Sequence, residues 1–384
     1  MIELKECVEI LDSKRIPLSA LERKRLKKIY PYYGAQGIID YVENYIFDGE
    51  YILIAEDGNN LKSLQQNIAT WVEGKFWVNN HAHILGEKKG YNLRYIYYLL
   101  SILDLRGYIT GSAQPKLNQE NLASIQLQLP NINRQNKVAQ ILSCIDNKIA
   151  INNKINSELE TMGKVIYDYW FLQFEFPNEK GKPYKSSGGK MIWNEKMKRE
   201  IPEGWKAIKL QDVFSFVKGK TPSITFDNSM EGAYPYITID VANGGKSQYC
   251  FLDDMPVCNG EVIMVMDGAA SGDIYIGNRG VLGSTFAMLK KKSEDISDAL
   301  IYVILSSRKN VYKKVNTGST VPHANKKFIE NMRVPVADNM SSFSRVFDEI
   351  YKKIELTKRE NQELISLREF LLPLLMNGQV SFKE

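Results

Sequence analysis

The sequence has few of the residues that build metal centres and disulfide frameworks. Its 384 residues include three histidines and four cysteines, and no two cysteines form a CxxC pair. Such sparse cysteines are typical of reduced thiols and exclude a disulfide framework or zinc knuckle. His81 and His83 could share a metal, but no nearby cysteine or carboxylate pattern completes a site. Packing or hydrogen bonding is the favoured role of both histidines, and no metal is expected.

Long apolar runs are also missing. The longest nearly uninterrupted one, Tyr95 to Leu103, is far shorter than the roughly 20 residues that span a bilayer. The N-terminus is acidic and amphipathic and lacks the basic start and apolar run of a secretory signal. These absences predict a cytoplasmic protein without a membrane-spanning helix.

The motifs of the obvious catalytic classes are absent as well. Adenine methylation of DNA requires an Asn/Asp-Pro-Pro-aromatic motif, and the chain contains no Pro-Pro pair. Gly219-Lys220-Thr221 resembles the end of a P-loop, but Phe214 stands where the first glycine of that motif belongs. Gly277, Gly280 and Gly283 do not have the spacing of a dinucleotide fingerprint. The sequence therefore predicts neither an enzyme nor a bound cofactor.

The net charge of +5 does not by itself indicate a nucleic-acid partner. Residues 1–130 carry 15 Lys/Arg and 15 Asp/Glu, whereas residues 173–210 carry 9 and 5. The one dense basic cluster, residues 23–28, could contact phosphates but is more often a solvated helix face.

Internal repetition is the most informative pattern. The run Gly111-Ser112-Ala113-Gln114-Pro115-Lys116-Leu117-Asn118 recurs 207 residues later as Gly318-Ser319-Thr320-Val321-Pro322-His323-Ala324-Asn325. Upstream, residues 47–54 match residues 258–265, and each copy leads into an Asp-Gly turn, at Asp57 and at Asp267. Both copies predict a turn, a buried strand and a turn. The chain is therefore predicted to be a duplication.

Two long helices are predicted, one after each copy. A stripe with alternating three- and four-residue steps runs through Val138, Ile141, Ile145, Lys148, Asn152, Ile155, Leu159, Met162, Ile166 and Tyr169. Adding 205 to each number gives the stripe Phe343, Val346, Ile350, Lys353, Thr357, Glu360, Leu364, Leu367, Leu371 and Leu374. This a/d spacing predicts that the helices pack on each other, antiparallel, with Ile141, Ile145, Leu159, Met162, Ile350, Leu364, Leu367 and Leu371 in the seam. The alternative is that each helix docks on its own domain.

The predicted fold class is mixed α/β, with two similar globular domains joined by an antiparallel helix pair. The predicted boundaries are 1–130 for the first domain, 131–172 for the first long helix, 173–201 for a polar connector, 202–338 for the second domain and 339–384 for the second helix and tail.

Several runs resemble the specificity subunit of type I restriction–modification enzymes. They are the Gly111–Asn118 run, Leu129-Pro130, Ile141-Leu142-Ser143, Asp146-Asn147-Lys148-Ile149, Tyr167-Asp168-Tyr169-Trp170-Phe171, Pro183-Tyr184-Lys185-Ser186-Ser187-Gly188-Gly189, Ile201-Pro202-Glu203-Gly204-Trp205 and Gly318-Ser319-Thr320. Each is moderately specific, but their order and duplication cover nearly the whole chain. The chain departs from the pattern at Val321-Pro322-His323-Ala324, so a role of Gln114 does not carry over to Val321.

The resemblance implies a non-catalytic DNA-binding subunit. In that family two target-recognition domains each read half of a bipartite double-stranded DNA site, while the helix pair sets the spacing and docks two methyltransferase subunits. Restriction subunits join through these, and S-adenosylmethionine and ATP belong to the partners. The rival interpretations are a duplicated protein-binding scaffold without DNA recognition and an enzyme with an unrecognised motif.

Candidate DNA contacts lie in turns between the predicted strands, where Asn, Gln, Arg and Lys match base edges or phosphates. In the first domain they are Tyr32, Tyr33, Gln36, Asn59, Asn60, Asn80, His81, Gln114 and Lys116. In the second they are Lys218, Lys220, Thr221, Ser271, Arg279, Ser319 and His323. Ordinary turn formation is the alternative for each of these loops.

Overall fold

The computed structural model of the chain describes residues 1–58, 61, 67–111, 114–318 and 321–380. These divide into an N-terminal unit, Met1–Ala150 with Asn361–Glu384, and a C-terminal unit, Ile151–Glu360. Each unit therefore contains part of both long helices. Across the described ranges, every helix is too short or too polar to cross a membrane.

The N-terminal unit is built on a six-stranded sheet. The strands in the described part of the unit are β1 Ile2–Glu3, β2 Val8–Ile10, β3 Tyr30–Gly34, β4 Gly37–Val42, β5 Phe47–Ala55, β6 Ala69–Val78, β7 Ala82–Glu87 and β8 Gln126–Leu127. The sheet order is β2-β7-β5-β6-β3-β4, in which β3 and β6 are parallel and the other neighbours antiparallel. Strands β1 and β8 form a separate antiparallel pair.

Short helices cover this sheet. They are α1 Leu4–Cys7, α2 Ala20–Arg25, α3 Leu93–Ile102 and α4 Gln119–Ala123, with 3-10 turns at Asp12–Lys14 and Arg106–Tyr108. Helix α2 begins at a capping box, in which Ser19 Oγ accepts from Glu22 N and the Glu22 carboxylate accepts from Ser19 N. Asn92 caps α3, whose buried face packs on Ile52 and Ile54 in the main core of the unit.

The first long helix, α5, spans Ile132–Tyr167 and continues into a π-helical turn, Asp168–Leu172. The helices that follow are α6 Leu210–Val213, α7 Ile239–Ala242, α8 Asp298–Lys313, α9 Lys326–Asn331 and the second long helix, α10, Met340–Met376. Helix α10 contains Pro373 in its last turn. A proline there ends a helix readily, and the chain leaves α10 within a few residues.

The described residues of the C-terminal unit form twelve strands. They are β9 Met191–Asn194, β10 Arg199–Pro202, β11 Lys206–Lys209, β12 Phe214–Lys218, β13 Tyr234–Ile237, β14 Gln248–Cys250, β15 Val257–Asn259, β16 Ile263–Val265, β17 Ile274–Tyr275, β18 Arg279–Leu282, β19 Phe286–Lys291 and β20 Arg333–Val336. Two four-stranded sheets have the orders β12-β19-β16-β17 and β14-β13-β18-β15, and two further pairs are β9-β10 and β11-β20.

The strand order repeats between the units. The series β2-β7-β5-β6 of the first unit corresponds to β12-β19-β16-β17 of the second, and β6-β3-β4 corresponds to β18-β13-β14. A parallel strand pairing also corresponds between the units, β3 with β6 and β13 with β18. The duplication read from short motifs therefore extends to the topology of the strands.

The segment 173–201 is a packed part of the C-terminal unit. It carries the β9–β10 hairpin, and Phe174 and Phe176 are buried among aromatic side chains. Phe176 stacks on Trp205 at 4.9 Å and contacts Phe343 of α10 at 5.6 Å between ring centroids. Burial of these rings holds the segment against the start of α10.

Within each unit the segments of α5 and α10 run antiparallel and share a core. In the N-terminal unit Val138 and Leu142 lie in the same core as Leu375, and Arg368 donates to Asp146 at 2.7 Å. In the C-terminal unit Trp170 contacts Phe343 edge-on, and Asn152 donates to Glu360 at 2.8 Å.

Three of the eight residues predicted for the seam are exposed, so the prediction is wrong at these positions. Ile141, Met162 and Leu367 are 36%, 44% and 45% exposed, whereas Ile145 and Ile350 are buried and Leu159, Leu364 and Leu371 are half-buried. The buried or half-buried stripe of α5 is Val138, Leu142, Ile145, Ile149, Asn152, Asn156, Leu159, Gly163, Ile166 and Trp170. Its counterpart in α10 is Phe343, Phe347, Ile350, Ile354, Thr357, Asn361, Leu364, Arg368, Leu371 and Leu375.

The correction has a simple geometric cause. A stripe can pass from Val138 to Ile145 by a step of three and then four residues, through Ile141, or by a step of four and then three, through Leu142. Ile141 and Leu142 both supply an apolar side chain for the intermediate step, so periodicity cannot choose between them. The side on which each domain packs against the helix makes the choice. The two stripes still keep the same offset of 205 residues.

Candidate nucleic-acid interface

In the N-terminal unit the repeated Gly-Ser motif packs against the Asp-Gly turn that follows β5. Lys116 forms β-bridges with both Asp57 and Thr110. The Gly58 amide donates to the Pro115 carbonyl at 3.4 Å. The described residues of the motif are therefore fixed to the end of a buried strand.

The C-terminal unit repeats this arrangement. His323 forms β-bridges with both Asp267 and Thr317, and the Gly268 amide donates to the Pro322 carbonyl at 2.9 Å. Here the Asp-Gly turn follows strand β16. The two copies thus build equivalent clusters of loops, which we call the N-loop cluster (residues 56–58, 79–81, 110–111 and 114–117) and the C-loop cluster (residues 218–221, 266–268, 317–318 and 321–324).

Each cluster contains an aspartate–histidine pair, but the histidines come from different places. In the N-loop cluster Oδ2 of Asp57 lies 2.7 Å from Nδ1 of His81, which precedes β7. In the C-loop cluster Oδ1 of Asp267 lies 2.8 Å from Nδ1 of His323, within the repeated motif itself. Both histidines are half-exposed. The shared framework therefore presents different side chains in the two units.

A buried polar network supports the N-loop cluster from behind. His83 is 1% exposed, with Nδ1 2.5 Å from Oδ2 of Asp12 and Nε2 2.7 Å from the Leu117 carbonyl. A carbonyl can only accept, so Nε2 carries a proton. Burial raises the pKa of Asp12, but the hydrogen bond and charge of His83 outweigh it and the pKa is lowered. The expected hydrogen-bonding role of His83 is confirmed.

Arg15 completes this network, in a role that sequence reasoning missed. It donates to Glu56 at 2.7 Å and to the carbonyls of Asn80 and Ala82 at 3.3 and 3.1 Å. Lys116 approaches the same Glu56 carboxylate at 3.2 Å. One half-buried guanidinium therefore links the loop before β7 to the repeated motif. No local sequence pattern indicates this, because the partners lie 41 to 67 residues away.

The structure brings most of the predicted N-terminal contacts to one edge. Asn80, His81, Gln114 and Lys116 are exposed in the N-loop cluster. Gln36 is exposed in the β3–β4 turn. Tyr33 is half-buried, and its carbonyl accepts from the Asn79 amide at 3.0 Å, beside the cluster. Asn59 and Asn60 lie outside the described residues.

Tyr32 is placed differently from the expectation. Its side chain is fully buried, its hydroxyl accepts from the Leu18 amide at 2.8 Å, and Arg23 lies over its ring at 4.9 Å. A side chain without exposed surface cannot contact DNA in this conformation. Tyr32 is therefore a core residue that anchors the segment before α2.

In the C-terminal unit the predicted contacts separate into two places. Lys218 donates to Asp267 at 2.5 Å, Lys220 donates to the Asp254 carbonyl at 3.1 Å, and Thr221 donates to Ser284 at 2.9 Å. All three residues are exposed. Arg279 instead donates to Glu355 of α10 at 3.1 Å, with its side chain 61% exposed.

Two further predictions for the C-terminal unit need separate mention. Ser271 is 1% exposed, and its hydroxyl accepts from Asn316 at 2.7 Å, so the expectation of a DNA contact is replaced by a structural role. Ser319 lies outside the described residues. Within the described ranges, no group of three or more His, Cys, Asp or Glu side chains is arranged to hold a metal ion.

The family model for the type I restriction modification DNA specificity domain matches this chain twice, over residues 1–161 and 202–365. The chain belongs to this family. The predicted fold class is therefore confirmed: the mixed α/β chain contains two copies of the specificity domain, and each match includes most of one long helix.

Curated relatives carry the same description. The chain is 26% identical over 177 residues to the type I restriction enzyme MjaVIII specificity subunit of Methanocaldococcus jannaschii, covering 43% of this chain and 42% of the relative. It is 35% identical over 142 residues to the putative specificity subunit S.HindORF215P of Haemophilus influenzae, covering 37% of this chain and 36% of the relative. The chain thus matches less than half the length of these two relatives.

A solved structure shows the same fold. The S subunit of a type I restriction–modification system from M. genitalium aligns with a TM-score of 0.58 at 14% identity, over 97% of this chain and 95% of that chain. The agreement at such low identity concerns the fold.

Acid is expected to weaken the C-loop cluster of this specificity-domain copy through Asp267. Burial raises the pKa of Asp267, but hydrogen bonds and charges from Lys218 and His323 outweigh it and the pKa is lowered. A carboxyl group with a lowered folded-state pKa stabilises the fold above its unfolded pKa of roughly 3.9, and this contribution is lost as the pH falls through the folded value.

The free energy of unfolding, measured with urea, should therefore fall further between pH 7 and acid pH in the parent than in the variant Asp267→Asn. The difference should be below about 1 kcal/mol, because the side chain is 38% exposed and water screens the pair. Equal losses in the parent and the variant would contradict this role of Asp267. Exposed Asp253, which has no ion pair among the described side chains, provides the matched control Asp253→Asn.

Proposed function

We propose that this chain is the DNA-recognition subunit of a type I restriction–modification complex, in which each unit reads one half of a bipartite double-stranded site. The observation that carries the proposal is the repeated loop cluster. The framework of bridged turns is the same in both copies, whereas the exposed side chains around it differ. The N-loop cluster exposes Asn80 and His81, and the C-loop cluster exposes Lys218 and Lys220. A shared framework with different side chains is suited to reading two different half-sites.

Both clusters contain the groups that such reading needs. Amide side chains such as Gln114 and Asn80 match adenine in the major groove, and lysines such as Lys116 and Lys220 match guanine or phosphate. Carboxylates hold several of these cations in place, since Lys116 approaches Glu56 and Lys218 approaches Asp267. Phosphate or base contacts would replace these exposed ion pairs at little cost, because exposed pairs contribute at most about 1 kcal/mol.

The outer faces of the long helices support docking of methyltransferase subunits. Exposed apolar side chains on α5 recur at an offset of 205 residues on α10: Ile151 with Leu356, Met162 with Leu367, and Val165 with Phe370. Exposed apolar patches of this kind mark protein interfaces. Because the exposed apolar face occurs on both long helices, it favours two copies of the same methyltransferase subunit. Restriction subunits would join through these methyltransferase subunits.

The chain itself is proposed to have no catalytic activity. S-adenosylmethionine and ATP would be bound by the methyltransferase and restriction partners, in the cytoplasm. The two loop clusters supply positioned donors for DNA, and the methyl transfer and cleavage chemistry would belong to the other subunits.

The proposal is tested by exchanging residues 1–130 for the equivalent domain of a relative with a different target. Because the two loop clusters lie in separate units, the exchange should change one half of the recognised site and leave the other half intact. Binding of the assembled methyltransferase to duplexes altered in one half at a time would measure this. The reciprocal exchange of residues 202–338 is the matched control.

Three outcomes would count against the proposal. A change in both halves together would contradict separate readers. Stable assembly with the methyltransferase but no sequence preference on DNA would instead support the protein-binding scaffold. Methyl transfer by the isolated chain would contradict its non-catalytic role.

A further inference from the structure

The β3–β4 hairpin forms an exposed apolar ribbon at the edge of the N-terminal sheet. Strand β4 is the last strand in the sheet order, with β3 as its neighbour. Ile38, Ile39 and Tyr41 on β4 are 48%, 51% and 44% exposed. A hydrophobic edge strand is normally covered or charged, because it otherwise promotes aggregation. The ribbon therefore has the properties of a surface that a partner covers.

A β-bulge turns two consecutive isoleucines outward. Tyr32 pairs with Asp40 and Tyr33 pairs with Ile38, so Ile39 is the extra residue on β4. In a regular strand, Ile38 and Ile39 would point to opposite faces. Bulges re-aim side chains and are frequent next to functional sites. Here both isoleucines are about half-exposed and stand close to the hairpin turn.

The surroundings of the ribbon are basic. Residues 14–45 contain seven Lys/Arg and three Asp/Glu, although residues 1–130 as a whole are neutral. Arg23 and Lys28 both bind Asp40, at 3.1 and 2.8 Å, and so neutralise the carboxylate on β4. Lys24 and Arg25 of α2 are exposed and have no ion pair with any described side chain. The charge therefore complements a polyanion.

The tip of the ribbon adjoins the N-loop cluster. The turn Gly34-Ala35-Gln36-Gly37 ends beside Asn79, whose amide donates to the Tyr33 carbonyl at 3.0 Å. A Cβ atom at Gly34 would lie 3.3 Å from Nδ2 of Asn79. The ribbon and the loop that carries Asn80 and His81 thus form one continuous surface.

We propose that this ribbon is the element of the N-terminal unit that enters the major groove of DNA. Ile38 and Ile39 would contact the apolar parts of base edges, Gln36 at the tip would hydrogen-bond to a base, and Lys24 and Arg25 would bind flanking phosphates. The major groove, about 12 Å wide, admits a two-stranded β-ribbon, and thymine methyl groups provide apolar contacts there. The inference rests on the proposed function and names the specificity-determining residues of one half-site.

The experiment selects binding sites from a pool of random-sequence DNA duplexes. It uses the full chain assembled with its methyltransferase partner, and compares the parent with the double variant Ile38→Thr/Ile39→Thr. Threonine keeps the β-branched shape that suits a strand but replaces apolar surface by a hydroxyl. Ile102→Thr, at an isoleucine that is 38% exposed on α3, is the matched control.

The expected result is a bipartite motif in which the double variant loses preference in one half only. Affinity for the parent's motif should fall about tenfold or more, which is the effect of losing one or two good base contacts. Affinity for duplexes scrambled in that half should stay the same. The control should select the parent's motif, and melting temperatures should agree among the three proteins.

A second variant separates phosphate contacts from base contacts. Lys24→Gln/Arg25→Gln should leave the selected motif unchanged. It should reduce the slope of log affinity against log salt concentration by about 1.8, since each phosphate contact contributes roughly 0.9. An unchanged slope would remove Lys24 and Arg25 from the interface.

The outcomes distinguish the ribbon from the wider proposal. If the parent selects a bipartite motif and the isoleucine variant selects the same motif with the same affinity, the ribbon assignment is wrong and the proposed function stands. Loss of both halves in the variant would also overturn the assignment, because the effect would not be local. If the parent selects no motif, the proposed function fails, and the ribbon assignment fails with it.

Discussion

Aspartate in place of Leu142 is expected to unfold the N-terminal unit, whereas aspartate at the neighbouring Ile141 should leave its stability nearly unchanged. Leu142 is 0% exposed in the main core of the unit, where Val138 and Leu375 also lie. Burying a carboxylate without a partner charge costs several kcal/mol. A domain of this size is stable by about 5–15 kcal/mol, so this loss removes much of the total.

Thermal and urea unfolding of the full-length chain, followed by circular dichroism, would measure both variants. Ile141 is the ideal control, because it occupies the adjacent position on α5, has a similar apolar side chain and is 36% exposed. The change in helix propensity differs between the two variants by only about a few tenths of a kcal/mol, far less than the expected difference in stability. Equal destabilisation would mean that the buried stripe does not run through Leu142, and a larger effect at Ile141 would restore the seam predicted from periodicity alone.

Alanine in place of Gly111 is expected to abolish recognition of the half-site read by the N-terminal unit. Gly111 has a φ of +81°, and a Cβ atom there would lie 2.2 Å from the Gln114 carbonyl oxygen. A side chain in this backbone region costs about 1–3 kcal/mol, and the clash requires the turn to open as well. This turn carries Gln114 and Lys116. Opening it moves both residues away from the other two segments of the N-loop cluster, 56–58 and 79–81.

Binding of the assembled complex to half-altered duplexes would report the loss. Gly107→Ala is the matched control, because no atom lies within 4 Å of a Cβ built on Gly107 and its backbone is not in the left-handed region. The equivalent change in the other copy, Gly318→Ala, should affect the opposite half-site, since Gly318 has a φ of +90° and its Cβ would lie 2.2 Å from the Val321 carbonyl oxygen. Normal half-site preference in Gly111→Ala would show that the turn does not position DNA contacts.

The loop clusters show how far the candidate site could be predicted. The repeated motifs around Asp57 and Asp267 are local, and a glycine with a positive φ followed by a proline defines a turn wherever it occurs. Their mutual contact could be expected, because both copies conserve the same pair of motifs at similar spacing. The support by Arg15 and His83 could not, since their partners are distant in sequence and most of them lie in separate turns and loops.

The outward ribbon illustrates the same limit. Tyr32 and Tyr33 are adjacent aromatic residues, and composition treats them alike as potential contacts. The pairing of β3 with both β4 and β6 buries Tyr32. The bulge leaves Ile38 and Ile39 both about half-exposed, although strand alternation would place them on opposite faces. Which face of a strand is buried depends on what packs against it.

The sequence by itself therefore determined the duplication, the two long helices, the fold class and the turns of the repeated motifs, because all of these follow from local periodicity, glycine and proline positions, and self-similarity. Only the tertiary structure decided which of two adjacent stripes on each helix is buried, which aromatic residues reach the surface, and which distant side chains hold the loops. These features arise from burial against neighbouring elements. The free energy of that burial depends on contacts between residues far apart in the chain, which a local pattern does not contain.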